Sequence, residues 1–396
     1  MNDGGRRARR LGEKLGIAGC VLVAGLAAAC SGKGGDAAPS DGGPAGVCTT
    51  PRAGFDLPTA VAKYPTLSSL CLFDVARSGA TARLTPRAGL VPYDLNTPLF
   101  SDYTWKSRWI LLPAGTKATY RPDTVFDFPV GTLIVKTFGF AADLRRPTDD
   151  VKLVETRVMV RSADGWIGLP YVWSDDQADA ALTVGGAVKS ASWVGVDGAP
   201  QSTDHYLVPS TAQCAQCHAD DAHVFQPIGP KARNLNRALV YPDGASDNQL
   251  AHWTRLGLLD GAPADPASAP RLPTWNDPAT GSLDERARAW LEVNCAHCHD
   301  PHGTARTTGL FLDTAVTDLG QRGLCKPPVA AGPGSGGRAW DISPGKPDDS
   351  ILIFRVESTA PALMMPALGR SVVHAEGVAL LREWIAAMPT TACTAK

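Results

Sequence analysis

The chain has 396 residues, which is too long for one small core and predicts two or three domains. Its hydrophobic content of 44 % and its charged content of 19 % are typical of globular proteins. The formal net charge of -1 gives no general attraction to nucleic acid, so nucleic acid is not an expected partner. The 40 glycines and 32 prolines predict many turns and loops.

Residues 1–30 are typical of a bacterial lipoprotein signal peptide. Basic residues come first, and the apolar run of residues 15–29 is too short to cross a bilayer comfortably. Small residues precede Cys30, although Ala27 stands where such cleavage boxes usually carry Leu. We therefore expect an acylated Cys30 and an exported, membrane-anchored lipoprotein, on the periplasmic side or at the outer membrane and cell surface. An ordinary secretory peptide and an earlier box at Cys20 are the alternatives.

A flexible linker is predicted for residues 31–47, which are rich in Gly, Ser, Pro and Asp and cannot bury apolar surface. A β-rich domain, sandwich-like or barrel-like, is predicted for residues 48–200 because short β-branched and aromatic runs alternate there with turns. Asp164 and Gly165 separate two such runs and predict a hairpin. The domain has no acid pair, His cluster or nucleophile motif, so its sequence assigns it no role.

The pattern C-x-x-C-H occurs twice in the second half of the chain. Two thiols three positions apart on a helical turn can each form a thioether with a haem vinyl group, and the His that follows can ligate the iron. The pattern therefore predicts two covalently bound c-type haems. Zinc also binds C-x-x-C pairs, but it needs no His directly after them, and no further pair completes a tetrahedral site. The six residues are Cys214, Cys217, His218, Cys295, Cys298 and His299.

Mainly α-helical haem domains are expected after the β-rich domain, with the first motif in residues 201–280 and the second in residues 281–396. Ser282 and Glu285 form a capping box that predicts a helix leading into the second motif. Apolar residues at helical spacing predict two further helices. Their expected buried faces consist of Leu250, Trp253 and Leu256 in one helix and of Val378, Leu381, Trp384 and Ile385 in the other.

Haem iron in an electron-transfer cytochrome takes two axial ligands, commonly His with Met or His with His. His218 and His299 are the expected proximal ligands. For the second haem, Met365 in front of Pro366 is the expected sixth ligand, with Met364 as the alternative. For the first haem the sixth ligand stays open, and a five-coordinate iron is also an option. The candidates are His205, His223, His252 and Met159.

Two resemblances extend these expectations. The order of helix, C-x-x-C-H motif, Met-Pro loop and closing helix from Leu283 to about Met388 resembles a class I cytochrome c. Over most of the chain after residue 90, the runs 98–103 (PLFSDY), 128–132 (FPVGT) and 227–231 (PIGPK) resemble an uncharacterised family of bacterial dihaem c-type cytochromes with a β-rich N-terminal region. The second resemblance implies export, two haems and electron transfer, without naming a substrate.

The remaining cysteines are consistent with an oxidising compartment. Four of them are assigned neither to haem nor to the signal peptide: Cys48, Cys71, Cys325 and Cys393. Their order suggests that the first two pair with each other and the last two likewise, but three pairings are possible.

Three function classes are compatible with the sequence. The favoured one is electron transfer through two haems, with a redox partner protein that the sequence does not name. The alternative is a haem-dependent oxidoreductase, such as a dihaem peroxidase or a dehydrogenase, because an open iron position permits catalysis. A binding role of the β-rich domain is an addition to either.

Overall fold

Strands dominate the first half of the described chain, and short helices follow in the second half. The structure, a computed structural model, describes residues 48–51, 53–390 and 393. The expected signal peptide, the linker and the acylation site Cys30 lie outside the described residues. The chain from Cys48 onward clusters as one unit. The prediction of a β-rich region with helices in addition is confirmed in this coarse form.

The strands of the described residues are β1 (Phe73–Ser78), β2 (Thr81–Pro86), β3 (Val91–Pro92), β4 (Trp105–Leu111), β5 (Ala118–Thr119), β6 (Leu133–Ala141), β7 (Val151–Ser162), β8 (Gly165–Trp173), β9 (Ala180–Leu182), β10 (Ala187–Val194), β11 (Pro200–Val208), β12 (Ala238–Val240), β13 (Ser246–Asn248) and β14 (Leu259–Asp260). The α-helices are α1 (Leu57–Lys63), α2 (Thr211–His218), α3 (Ala232–Leu235), α4 (Gln249–Arg255), α5 (Leu283–Leu291), α6 (Ile351–Glu357) and α7 (Ala375–Ala386).

The main sheet has six antiparallel strands in the order β3-β4-β6-β7-β8-β9. The other described strands form four two-stranded sheets. The hairpin predicted at Asp164 and Gly165 is confirmed, because it joins β7 to β8 and pairs Ser162 with Gly165.

Both faces of the main sheet are buried. Leu111 of β4 belongs to one core, which the β1–β2 hairpin and α1 close, whereas its neighbour Ile110 belongs to a second core on the opposite face. This alternation follows from the two-residue period of a strand. In the described chain the second core is closed by later segments that contribute Leu235 and Trp253, not by a second large sheet. The architecture thus differs from the expected sandwich or barrel, because helices and loops of later segments, and not a second large sheet, cover the second face of the main sheet.

Helix α4 confirms one predicted helix and corrects its buried face. Asn248 caps it by accepting a hydrogen bond from the Leu250 N–H at 2.9 Å. Leu250 and Trp253 are buried as predicted, but Leu256 is 47 % exposed. The reason is that α4 ends at Arg255, and the chain then turns through the positive φ of Gly257.

The last part of the chain forms a helical core. The predicted capping box is present at the start of α5, where Ser282 and Glu285 exchange side-chain and backbone hydrogen bonds. Helix α5 packs against α7, and Trp290 and Leu381 lie in their common core. The four apolar residues predicted for the buried face of α7 are all buried. Helix α6 contributes Ile353 to the same core.

Two disulfides link the four cysteines that belong neither to the motifs nor to the expected signal peptide. They are Cys48–Cys71 and Cys325–Cys393, which is the pairing that the order along the chain suggests. Among the described residues the four motif cysteines keep free thiols.

Candidate functional site

Helix α2 carries the first motif. Ser210 and Gln213 form a capping box at its start, a signal that is present in the sequence but that our predictions did not use. The helix lies on strand β8 where Gly168 has no side chain. A Cβ atom at Gly168 would lie 3.2 Å from the sulfur of Cys214, so the glycine permits this close approach.

The ring of His218 is oriented by the backbone. Its Nδ1 lies 2.8 Å from the carbonyl oxygen of Gln226, and its ring stacks on that of Phe225. Burial lowers the pKa of His218 to about 4, so the imidazole is neutral at physiological pH. A neutral ring whose Nδ1–H donates to a carbonyl keeps its Nε2 lone pair for a metal.

The second motif continues from α5 through a π-helical turn, Glu292–Ala296. Cys295 is buried in the helical core, and Cys298 and His299 follow it. The Nδ1 of His299 lies 3.4 Å from the Thr308 hydroxyl, and the ring also hydrogen-bonds to the backbone of Leu310. Burial lowers the pKa of His299 as well. Both motif histidines are therefore held in orientation from their Nδ1 side.

A buried ion-pair network connects the two motif segments. Glu292, 4 % exposed, lies 2.6 Å from Arg233 of α3, and Arg233 also pairs with Asp313 at 2.7 Å. The Glu292 carboxylate also accepts a hydrogen bond from the N–H of Thr314 at 3.1 Å. Removal of one partner from such a network leaves an uncompensated buried charge, so the network fixes the start of the π-helical turn relative to α3.

The two motifs meet in space. Cys217 of the first motif and Cys298 of the second lie with His297 in one cluster, in which one ligand atom from each residue falls within 4.8 Å of the others. The backbone oxygen of Gln216 accepts hydrogen bonds from the Cys298 thiol at 3.5 Å and from the Thr304 hydroxyl at 3.0 Å. A hydrogen bond from Cys217 lowers the pKa of the Cys298 thiol. The adjacency of the motifs is absent from our predictions, because no local pattern encodes a contact between distant segments.

A cavity of about 470 Å³ lies beside the second motif. Cys295, Cys298 and His299 line it together with Met365, whereas Met364, also described, lines neither this cavity nor the one beside the first motif. The backbone of Met365 is fixed, since its N–H donates to the Arg355 carbonyl at 3.0 Å and its carbonyl accepts from Arg370 at 2.9 Å. The cavity therefore has thiols and an imidazole among its walls and a thioether available as well.

A second cavity, about 200 Å³, lies beside the first motif. Cys214, Cys217 and His218 line it, and of the four sixth-ligand candidates for the first haem only Met159 also lines it. The other candidates lie elsewhere: His205 and His223 are exposed, and the ring of His252 stacks on Tyr241. The two cavities share lining residues: Cys217, Asn294, His297, Val356, Met365, Pro366 and Leu368.

His374 is a further lining residue of the cavity beside the first motif that our predictions used only as the start of a helix. Its Nδ1 accepts a hydrogen bond from the Trp290 indole at 3.0 Å, and its ring stacks on Phe100 at 4.3 Å. An Nδ1 that accepts leaves the proton on Nε2. In this tautomer His374 has no free nitrogen lone pair for a metal.

Comparisons with known proteins do not assign the chain to a family. No family model, no curated protein and no solved structure matches it. Of the helices in the described residues, none combines the length and the apolar character that crossing a membrane requires. The functional argument therefore depends on the geometry of the two motifs.

Proposed function

We propose that the protein is an exported electron-transfer protein that carries two covalently attached c-type haems. The observation that carries the proposal is the meeting of the two C-x-x-C-H motifs at Cys217 and Cys298 between two adjoining cavities. Electron transfer between two haems requires that the haems lie close together. Because Cys217 and Cys298 lie in one cluster, haems attached to these thiols would meet that requirement.

The residues present fit two haems. Cys214 and Cys217 would hold one of them and Cys295 and Cys298 the other, each through two thioethers. His218 and His299, oriented from their Nδ1 side, would each offer Nε2 to an iron, and the thioether of Met365 supports a sixth ligand at the second site. When bound, each haem supplies an iron that accepts and releases one electron.

The helical core supports the finer fold proposal, a class I cytochrome c-like domain. Helix α5, the second motif, the Met365–Pro366 loop and α7 follow each other in the expected order, and α5 packs on α7. The two disulfides support export, because such bonds form in oxidising compartments. Anchoring through an acylated Cys30, on the periplasmic side or at the outer membrane and cell surface, belongs to the same proposal.

A metal site is a second candidate, favoured by the cluster of Cys217, His297 and Cys298. Tetrahedral zinc prefers four ligands of this kind, and the cluster offers three. A metal held there leaves the oriented His218 and His299 without a function. Haem accounts for both histidines, and we therefore prefer it.

The test is the intact mass of the protein after export in cells with the c-type haem attachment machinery. We expect the mass of the processed polypeptide plus two haems. The double variants Cys214→Ser/Cys217→Ser and Cys295→Ser/Cys298→Ser should each keep one haem. A wild-type protein with no haem and one zinc per chain would establish the metal site instead.

A ferrous carbon monoxide difference spectrum separates electron transfer from the oxidoreductase alternative. Six-coordinate iron resists carbon monoxide, whereas a haem with an open position binds it. We expect no spectral change at either haem. Stoichiometric binding at one haem would support a haem-dependent oxidoreductase.

A further inference from the structure

Three cations form a row across the main sheet. In the antiparallel register Arg108 of β4 faces Lys136 of β6, and Lys136 faces Arg157 of β7. All three line the cavity beside the first motif. Like charges directly opposite each other destabilise a sheet, and burial together with the neighbouring Arg108 lowers the pKa of Lys136. All three side chains are therefore charged together only when an anion compensates them.

The carboxylates of the protein itself neutralise only part of the positive charge of this row. Arg157 pairs with the fully buried Glu155 at 2.6 Å, and Arg108 pairs with Asp94 at 2.7 Å. Asp94 is shared, because Arg237 also pairs with it at 3.3 Å. Lys136 has no ion pair with any of the described residues, and its ammonium lies 4.6 Å from the centre of the Phe138 ring.

Arg108 provides a second, independent indication of a missing partner. Its side chain is 4 % exposed, and its Nη2 has no hydrogen-bond partner among the described residues. A buried guanidinium nitrogen without an acceptor destabilises the folded state. A carboxylate in the cavity would accept a hydrogen bond from this nitrogen and neutralise the neighbouring Lys136.

The next row of the same sheet face is apolar and leads to the first motif. Ile134 faces Met159, and Met159 faces Gly168, the residue that lies against the sulfur of Cys214. From the attachment thiol the cavity wall thus passes from an apolar row to a cationic row. A haem has the same order of polarity, with an apolar ring and two propionate carboxylates on the pyrroles that carry no thioether.

We propose that Arg108, Lys136 and Arg157 form a carboxylate-binding wall and that its ligands are the propionates of the first haem. This inference rests on the proposed function and gives the β-rich region a role that its sequence did not assign. Positive charge on the wall would offset the negative charge of the propionates, disfavour the ferric state of the first haem and raise its reduction potential.

The test is a redox titration of the two-haem protein and its Lys136→Met variant. Methionine keeps most of the length of the lysine side chain and removes its charge, and no paired carboxylate is left unpaired, so the fold should persist. We expect two haems, a lower potential at one haem and no change at the other. Lys136→Arg should restore the wild-type potential.

The matched control is Lys152→Met, which removes a lysine of β7 whose side chain is 50 % exposed and pairs with Asp175. Both its potentials should equal those of the wild type. If Lys136→Met behaves as this control does, the carboxylate wall is not at a haem and the inference is overturned. A wild-type protein without two haems would overturn the proposed function itself, because that count does not depend on Lys136.

Titration with sodium acetate at constant ionic strength distinguishes propionates from a free carboxylate. Propionates that occupy the wall leave the potentials independent of acetate. A wild-type potential that moves with acetate, together with no such shift in Lys136→Met, would assign the wall to free carboxylates and overturn the propionate assignment.

Discussion

Cys217 and Cys298, from different C-x-x-C-H motifs, lie in one cluster with ligand atoms within 4.8 Å of each other. The contact places the attachment points of both proposed haems at the boundary of two cavities that share a wall. In an oxidising compartment, thiols this close can form a disulfide as long as no haem is attached to them.

We expect that protein exported without haem attachment forms a Cys217–Cys298 disulfide. The contact favours it over a bond within either motif. Peptide mapping by mass spectrometry under non-reducing conditions identifies the linked peptides. Protein matured with haem is the control and should lack this link, and a Cys214–Cys217 bond in the haem-free protein would contradict the arrangement.

Met365→Ala should remove the weak sulfur-to-ferric-iron absorption band at the red end of the spectrum. It should also lower one of the two reduction potentials, because a thioether favours ferrous iron. Met364→Ala is the matched control and should keep both properties, since Met364 lines neither cavity. If only Met364→Ala changes the spectrum, Met364 is the ligand and the assignment of Met365 is wrong.

Gly168→Val should destabilise the contact between α2 and the main sheet. A Cβ there would lie 3.2 Å from the Cys214 sulfur and 3.3 Å from the Phe225 ring, and valine adds two methyl groups. Overpacking of this kind costs about 1–3 kcal/mol, measurable by urea unfolding. Gly185→Val is the control, because a Cβ at Gly185 meets nothing within 4 Å. Equal stability of the two variants would contradict the tight packing.

The Cys325–Cys393 disulfide should stabilise the protein more than the Cys48–Cys71 disulfide does. The bonds close segments with sequence separations of 68 and 23 residues. The chain-entropy relation then gives about 4 kcal/mol for the longer loop and about 3 kcal/mol for the shorter one. Paired Cys→Ser substitutions and denaturant unfolding measure both values. A larger loss from the shorter loop would show that entropy of the unfolded chain does not dominate.

Local signals predicted local structure well. The capping box at Ser282 and the Asp164–Gly165 hairpin were readable because their hydrogen bonds join residues a few positions apart. The exposure of Leu256 could not be predicted from the sequence, because it depends on where α4 ends.

Only part of the candidate site could be predicted from the sequence. The six motif residues follow from their spacing, and Met365 from the adjacent Pro366. The row formed by Arg108, Lys136 and Arg157 requires the register of three strands, which only the folded sheet fixes. The contact between Cys217 and Cys298 likewise depends on tertiary packing, and therefore no periodicity indicates it.

The close fit of α2 on Gly168 has a consequence for biogenesis. Burial raises the pKa of the Cys214 thiol, and the sheet covers it from one side. A maturation enzyme that joins a vinyl group to this sulfur needs the helix detached from the sheet. Under the proposed function, attachment of the first haem would therefore precede docking of α2, and the newly exported chain would remain partly unfolded until the haem arrives.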